Sequence, residues 1–123
     1  MKDKITIESK VHGFGLATRS RYNRGDVIHR AINATRFDAF HDRAAFIAGT
    51  WYSDPIIEVM NHSCKPNVKL LLNDDVVSIV ALDVIEPGEE IVCDYDQTEG
   101  TDGEARTCLC KTSTCKGTFH IRK

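Results

Sequence analysis

No apolar run in this 123-residue chain approaches the ~20 residues that a helix needs to cross a bilayer, so a membrane span is not expected. The first residues, Met1-Lys2-Asp3-Lys4-Ile5-Thr6-Ile7, lack the apolar stretch of a signal peptide. The even cysteine set of a small secreted disulfide scaffold is missing as well, because there are five. These absences point to a reducing, intracellular compartment. Internal repeats and low-complexity segments are also absent, and the length leaves room for one domain with one modest core. Finally, residues 73 to 104 hold no Lys or Arg against eleven acidic side chains, while the first 43 residues carry nine basic and five acidic. Such a block is either plain solvated surface or a steering field that attracts a Lys/Arg-rich peptide and repels nucleic acid.

Where the cysteines lie matters more than how many there are. Cys108, Cys110 and Cys115 form a CxCx4C cluster near the C-terminus, and Cys64 lies within Asn61-His62-Ser63-Cys64-Lys65-Pro66-Asn67. Structural Zn²⁺ takes four ligands in a tetrahedron and thiolate suits it. Three tail thiols plus Cys64 complete such a site and tie the tail to the body of the domain. CxC is too tight for a finger knuckle, so the tail is not a finger by itself. The alternative, free or disulfide-paired cysteines, stays open at this point.

Short apolar runs with regular breaks predict a mostly β chain. Ile5-Thr6-Ile7-Glu8 alternates as a half-buried strand does, Gly13-Phe14-Gly15 interrupts it, and Leu16-Ala17-Thr18 follows. Arg24-Gly25-Asp26 turns into a strand over Val27–Ile32. Phe37, Phe40, Ala44 and Ile47 have helical spacing, which predicts one short helix from Phe37 to Ala48 with Gly49 as its C-cap. Val68–Leu72 and Val76–Ala81 flank Asn73-Asp74-Asp75 as a hairpin, Pro87-Gly88 is a turn, and Glu90–Tyr95 is a last strand. Residues 97 to 107, polar and Gly-containing, read as a mobile connection to the cysteine tail.

Gly13-Phe14-Gly15, then Asn61-His62-Ser63-Cys64-Lys65-Pro66-Asn67, then Gly88-Glu89-Glu90-Ile91-Val92-Cys93-Asp94-Tyr95, followed by CxCx4C, resemble a SET-domain protein-lysine methyltransferase with a post-SET zinc tail. The match spans nearly the whole chain, and the central string is its most specific part. The resemblance implies a SET domain (β-clip) over residues 1–96, in which the Asn61 and Tyr95 segments pass through one another as a pseudoknot, and a zinc-binding post-SET tail over residues 97–123. It further implies S-adenosylmethionine on one face and a lysine entering a narrow channel from the other.

Carried over by residue, the backbone of Phe14 and Gly15 holds the methionine part of the cofactor, glycine permitting close approach. Asn61 and His62 contact its amino-acid and adenine ends, and Leu109 packs on the adenine. Tyr95 matches the catalytic tyrosine, and Tyr52 is the candidate for a second channel tyrosine. Methyl transfer from a sulfonium to an amine needs no metal and no covalent intermediate, so in-line placement is the main source of rate. A free lysine is neutral in only about one molecule in 250 at pH 8. A dry channel beside a sulfonium disfavours the ammonium by desolvation and like charge.

The sequence departs from the family pattern in four places. The usual Tyr-x-Gly reads Ala31-Ile32-Asn33, the Arg three residues before the Asn-His pair is replaced by Glu58, and the insert before the central motif is short. Cys93 replaces the Phe or Tyr that governs how many methyl groups fit, which implies di- or trimethyl-lysine as product. The partner is then a lysine-containing protein or peptide, a histone tail being one candidate, with no direct nucleic-acid binding. The trimmed groove also allows completion by a second copy as a homodimer. The compartment is nuclear or cytoplasmic, or that of a host cell entered by a secreted effector. The main alternative function is a catalytically weak SET module that holds a lysine-bearing peptide or partner without turnover. A zinc-stabilised nucleic-acid binder is disfavoured by the acidic half.

Overall fold

The structure is a computed structural model and describes residues 3–9, 13–40, 43–96, 104–108, 110 and 112–121. The elements lying wholly within them are twelve short strands in five small sheets and a helix of a single turn. Among the described residues no helix is long and apolar enough to cross a membrane.

β1 (Lys4–Glu8) and β2 (Phe14–Thr18) pair antiparallel. β2 is buried from Gly15 to Thr18, on both faces of the strand, as its small residues permit. Leu16 then bridges to Ile91, its carbonyl accepting the Ile91 N–H at 2.7 Å. A second sheet has the order β3 (Val27–Arg30), β9 (Val76–Ala81), β8 (Val68–Asn73). Along β9, Val77, Ile79 and Ala81 point into the core and alternate with half-buried neighbours, the period-two pattern of a half-buried strand. The predicted β8–β9 hairpin closes through Asp74 and Asp75, both in the left-handed region at φ 50° and 65°, which short polar side chains tolerate in a tight turn.

The helix expected over Phe37–Ala48 is not formed. This stretch instead contributes β4 (Thr35–Phe37) and β5 (Ala45–Ile47), both paired antiparallel with β6 (Thr50–Ser53). Ala48 and Gly49, at φ 51° and 84°, make a two-residue hairpin turn rather than a C-cap. Arg43, at φ 66°, also breaks any helical run. The aromatic spacing has another use: Phe40 meets Trp51 edge-on at 5.2 Å and Phe46 lies 4.8 Å from the same ring. The actual helix, α1 (Pro55–Val59), starts where Asp54 caps the Ile56 and Ile57 N–H groups with Pro55 in its first turn, the standard chemistry of a helix start. It buries Ile56 and Ile57.

Directly after α1, β7 (Asn61–His62) runs parallel to β10 (Val92–Cys93). Asn67 fastens this crossing. Its N–H donates to the Val92 carbonyl, its Oδ1 accepts from the Val92 N–H at 2.9 Å, and its Nδ2 donates to the Glu90 carbonyl at 2.8 Å. The core beneath is formed by Leu16, Ile28, Met60, Val68, Ile79, Ile85 and Ile91. In the tail, β11 (Glu104–Thr107) pairs with β12 (Thr118–Ile121). The end of the expected connection is therefore a strand, while residues 97–103 lie outside the described residues.

Candidate active site and metal centre

The crossing brings Asn61, His62 and Tyr95 together at its edge. His62 is 2% exposed. Its Nδ1 accepts the Tyr95 backbone N–H at 3.0 Å, and its Nε2 lies 3.4 Å from Cys64 Sγ. A ring nitrogen that accepts cannot also carry the proton, so the network assigns hydrogen to Nε2 and makes it a donor to sulfur. Tyr95 donates its hydroxyl to the Met60 carbonyl at 2.7 Å. A phenol that donates in this way presents oxygen lone pairs as acceptors.

Asn61 ties the first motif to this edge. Its Nδ2 donates to the Phe14 carbonyl at 2.8 Å and to Glu90 Oε2 at 2.9 Å. Glu90 Oε1 accepts from the Ser9 hydroxyl at 2.8 Å. A Cβ at Gly15 would run into this carboxylate, 2.8 Å from its Cδ, so any side chain here would displace Glu90 from its bond with Asn61. The Phe14 side chain is 70% exposed, and it is its carbonyl that takes part.

The four cysteine sulfurs singled out in the sequence, those of Cys64, Cys108, Cys110 and Cys115, lie within 4.8 Å of one another, with Cys64 and Cys108 at 3.6 Å. A tetrahedron with ~2.3 Å metal–sulfur arms has edges of about 3.8 Å, so the donor set fits zinc. All five cysteines are free of disulfides. The Lys116 N–H points at Cys64 Sγ at 3.3 Å and the Gly117 N–H at Cys115 Sγ at 3.4 Å, donors that suit thiolates. Burial pushes the Cys64 and Cys108 thiols up. Burial also acts on Cys110, but hydrogen bonds from Thr112 outweigh it and bring that thiol down to about 5. Cys93 stands apart, buried in the hydrophobic core.

Beyond the sulfurs, charge and aromatic packing hold the tail. Lys116 Nζ bridges Asp96 at 2.8 Å and Asp94 at 3.3 Å, and Asp96 Oδ1 accepts the His120 N–H. Phe119 stacks on the His62 ring and meets Tyr95 edge-on. A cleft of about 480 Å³ opens between the tail and the crossing, lined in part by Asn61, His62, Asn67, Glu90 and Cys110. Tyr52 is buried in a different sheet, with its hydroxyl donating to Asp75 at 3.2 Å and Arg36 over its ring. Leu109 lies outside the described residues.

Sequence reasoning passed over Glu90, Arg43, Lys116 and Phe119. Glu90 carried a signal, since it sits inside the third motif beside a glycine-bearing partner. Phe119 carried a fainter one, four residues after the last zinc-type cysteine. Arg43 and Lys116 carried none, because only the fold brings them to the site.

The sequence pattern of the SET domain matches residues 13–96. The chain is 28% identical over 134 aligned positions to a putative histone-lysine N-methyltransferase 1 of Plasmodium falciparum, covering 89% of this chain and 2% of that protein. It is 28% identical to the N-lysine methyltransferase SMYD2 of Gallus gallus, covering 73% of this chain and 22% of that protein. With the Arabidopsis thaliana histone-lysine N-methyltransferase ASHH2 it shares 32% identity over 47% of its length and 4% of the relative. The chain thus spans less than a quarter of these relatives. Among solved structures, KRYPTONITE in complex with mCHH DNA, an H3(1-15) peptide and SAH superposes with a TM-score of 0.72 at 21% identity, covering 96% of this chain and 29% of that one.

Proposed function

The chain belongs to the SET-domain family, and from that premise we propose that it is a protein-lysine N-methyltransferase that uses S-adenosylmethionine. The observation that carries this reading is the junction at His62, whose two ring nitrogens join the Tyr95 backbone to the Cys64 sulfur. The phenol, the Asn61-His62 strand and the thiolate cluster are therefore one unit.

Bound S-adenosylmethionine would supply an electrophilic methyl on a cationic sulfur, and the rest falls to the chain. The Phe14 carbonyl, Gly15 and Asn61 hold the amino-acid end, with the Glu90 carboxylate beside them as a counter-charge for its ammonium. His62 and the described part of the tail would wall the adenine. Tyr95 donates a hydrogen bond to the Met60 carbonyl and would accept an N–H from an entering neutral amine, which would orient the nitrogen lone pair for attack. In such a transfer the amine lone pair would take the methyl, the sulfur would keep the electron pair of its broken bond to carbon, and the surplus proton would pass from nitrogen to water. Placement accounts for most of the rate in such a displacement. Zinc on Cys64, Cys108, Cys110 and Cys115 would lock the tail that forms the wall, and metal binding of this kind contributes directly to folding.

The substrate in this reading is a lysine-bearing protein, with a histone tail as the first candidate. The relatives' names and the acidic stretch from residue 73 to 104 support it. The same stretch argues for a peptide rather than nucleic acid as the direct partner of this chain, and four thiolates fit a reducing compartment. The test is calorimetric titration of the zinc-replete protein with S-adenosylmethionine, then transfer of a radiolabelled methyl group to purified core histones. Tyr95→Phe is expected to keep donor affinity and lose at least about a hundredfold in transfer. Near-full turnover by that variant would remove the role given to Tyr95. Binding without transfer to any protein would favour the weak peptide-holding module, and absence of donor binding would end both readings.

A further inference from the structure

We propose that Arg43 is the positioning residue that locks Asn61 and Tyr95 into one geometry. This rests on the reading of the site given above. Arg43 belongs to none of the three motifs and precedes β5, yet its guanidinium reaches the crossing. Nε donates to the Glu58 carbonyl at 2.9 Å, and Nη2 to the Met60 carbonyl at 3.2 Å and to Asn61 Oδ1 at 3.3 Å. The Met60 carbonyl is also the acceptor of the Tyr95 hydroxyl. One guanidinium therefore touches the amide expected to hold the cofactor and the carbonyl that orients the phenol.

The Asn61 amide is pinned from both sides. Its nitrogen faces two acceptors, the Phe14 carbonyl and Glu90, and its oxygen faces a cation. A flip would place Oδ1 against a carboxylate and a carbonyl and the NH₂ against the guanidinium, so Arg43 fixes which atom faces which. The Met60 carbonyl likewise has both lone pairs used, one by Tyr95 and one by Arg43. A lysine cannot do this, because one ammonium on a flexible stem lacks the planar fork that serves several acceptors at once. The backbone of Arg43 supports the assignment. At φ 66° it occupies a region that non-glycine residues disfavour, and such conformations persist where the surroundings over-determine them. Glu58 stands where the resemblance expects arginine. Its carboxylate accepts from Ser53 Oγ at 2.7 Å and its backbone carbonyl receives Arg43, so a guanidinium stands beside residue 58 although residue 58 is not the arginine.

The test compares wild-type protein with Arg43→Gly and Arg43→Lys. Glycine removes the fork and suits the left-handed backbone, so the fold carries no added strain. Side-chain amide NMR of Asn61 in the cofactor-free protein is expected to show shifted, mobile NH₂ signals in both variants. With S-adenosylmethionine and core histones, Arg43→Gly is expected to lose about ten- to a hundredfold in kcat, the factor carried by one hydrogen bond to a charged group. Added methylguanidinium should restore part of it, and Arg43→Lys should not. Unchanged Asn61 signals in Arg43→Gly would overturn the proposal whatever the enzyme does, as would shifted signals with full turnover. If the wild type binds no S-adenosylmethionine, the functional reading fails, while the Asn61 signals still decide the role of Arg43.

Discussion

Phe119 stacks on His62 with ring centroids 4.4 Å apart and planes 20° from parallel. The two residues come from opposite ends of the architecture, one from the last strand of the tail and the other from the parallel pair at the crossing. Phe119 also meets Tyr95 edge-on at 5.5 Å, so the tail supplies a wall to the site as well as the thiols. This contact links the thiol cluster to the Tyr95 phenol, since whatever docks the tail also places Phe119.

Removing this contact should separate tail docking from metal binding. Phe119 is buried, and truncating a buried phenylalanine costs about 3–5 kcal/mol. Phe119→Ala is therefore expected to lower the melting temperature and weaken S-adenosylmethionine binding while one zinc per chain remains by metal analysis. A chelator should remove both zinc and binding. Unchanged melting and donor affinity in Phe119→Ala would show that the stack is incidental.

Gly15→Ala tests the first motif. The new methyl would meet the Glu90 carboxylate and come within 3.2 Å of Asn61 Nδ2. Glu90 is the flexible partner, so it should swing away and break its bonds from Ser9 and Asn61. Overpacking costs of this kind are about 1–3 kcal/mol. The expected result is a modest drop in stability and a drop in donor affinity of at least about tenfold, the weight of one such hydrogen bond to a carboxylate. Calorimetry on the two proteins decides it.

That Asn61, His62, Tyr95 and the four clustered cysteines come together was more legible in the sequence than the architecture around them. Asn61, His62, Tyr95 and the four clustered cysteines lie in short strings whose residue types announce a use, and the β8–β9 hairpin was announced by Asn73-Asp74-Asp75. The helix was misplaced because Phe37, Phe40, Ala44 and Ile47 mimic a helical face, while the residue that organises the aromatics, Trp51, lies beyond the window. The helix that forms has one turn and no room for periodicity. Its only sequence signal was Asp54-Pro55, a cap followed by a residue suited to the first turn. Arg43 and Lys116 act across long sequence separations, which no local pattern encodes.

Asp54 predicts a specific acid sensitivity. Burial pushes its carboxyl up, but the hydrogen bonds from His29 and from the Ile57 and Ile56 N–H groups outweigh that and hold it below the ordinary value of 3.8. A depressed carboxyl contributes stability that is fully present above its unfolded value and is lost as pH falls through the folded one. The contribution should therefore be constant above about pH 5 and disappear below the usual carboxylate range. Asp54→Asn should flatten that part of the acid limb in unfolding titrations, and Asp54→Ala should cost about 1–2 kcal/mol at neutral pH from the lost cap alone. Because α1 leads straight into Met60 and Asn61, the same acidification should loosen the donor site. An acid limb identical in Asp54→Asn and wild type would refute the assignment.

The last prediction concerns how many methyl groups are added. Cys93 is buried and pairs across the parallel strands with His62, at the position where the family resemblance places Phe or Tyr. Room at the end of a lysine channel decides whether an amine that already carries a methyl can turn its lone pair back to the donor. A phenol there also holds a water that blocks the turn. The cysteine side chain has neither the bulk of one nor the hydroxyl of the other, so di- or trimethyl-lysine is the expected product. Cys93→Tyr should shift the output towards the monomethyl state. Adding a ring to a buried site costs about 1–3 kcal/mol, so melting temperature and zinc content are read alongside to separate a changed product from a damaged fold. Mass spectrometry of the product under excess donor decides the matter. A wild-type enzyme that stops at one methyl group would show that another side chain fills the space that Cys93 leaves.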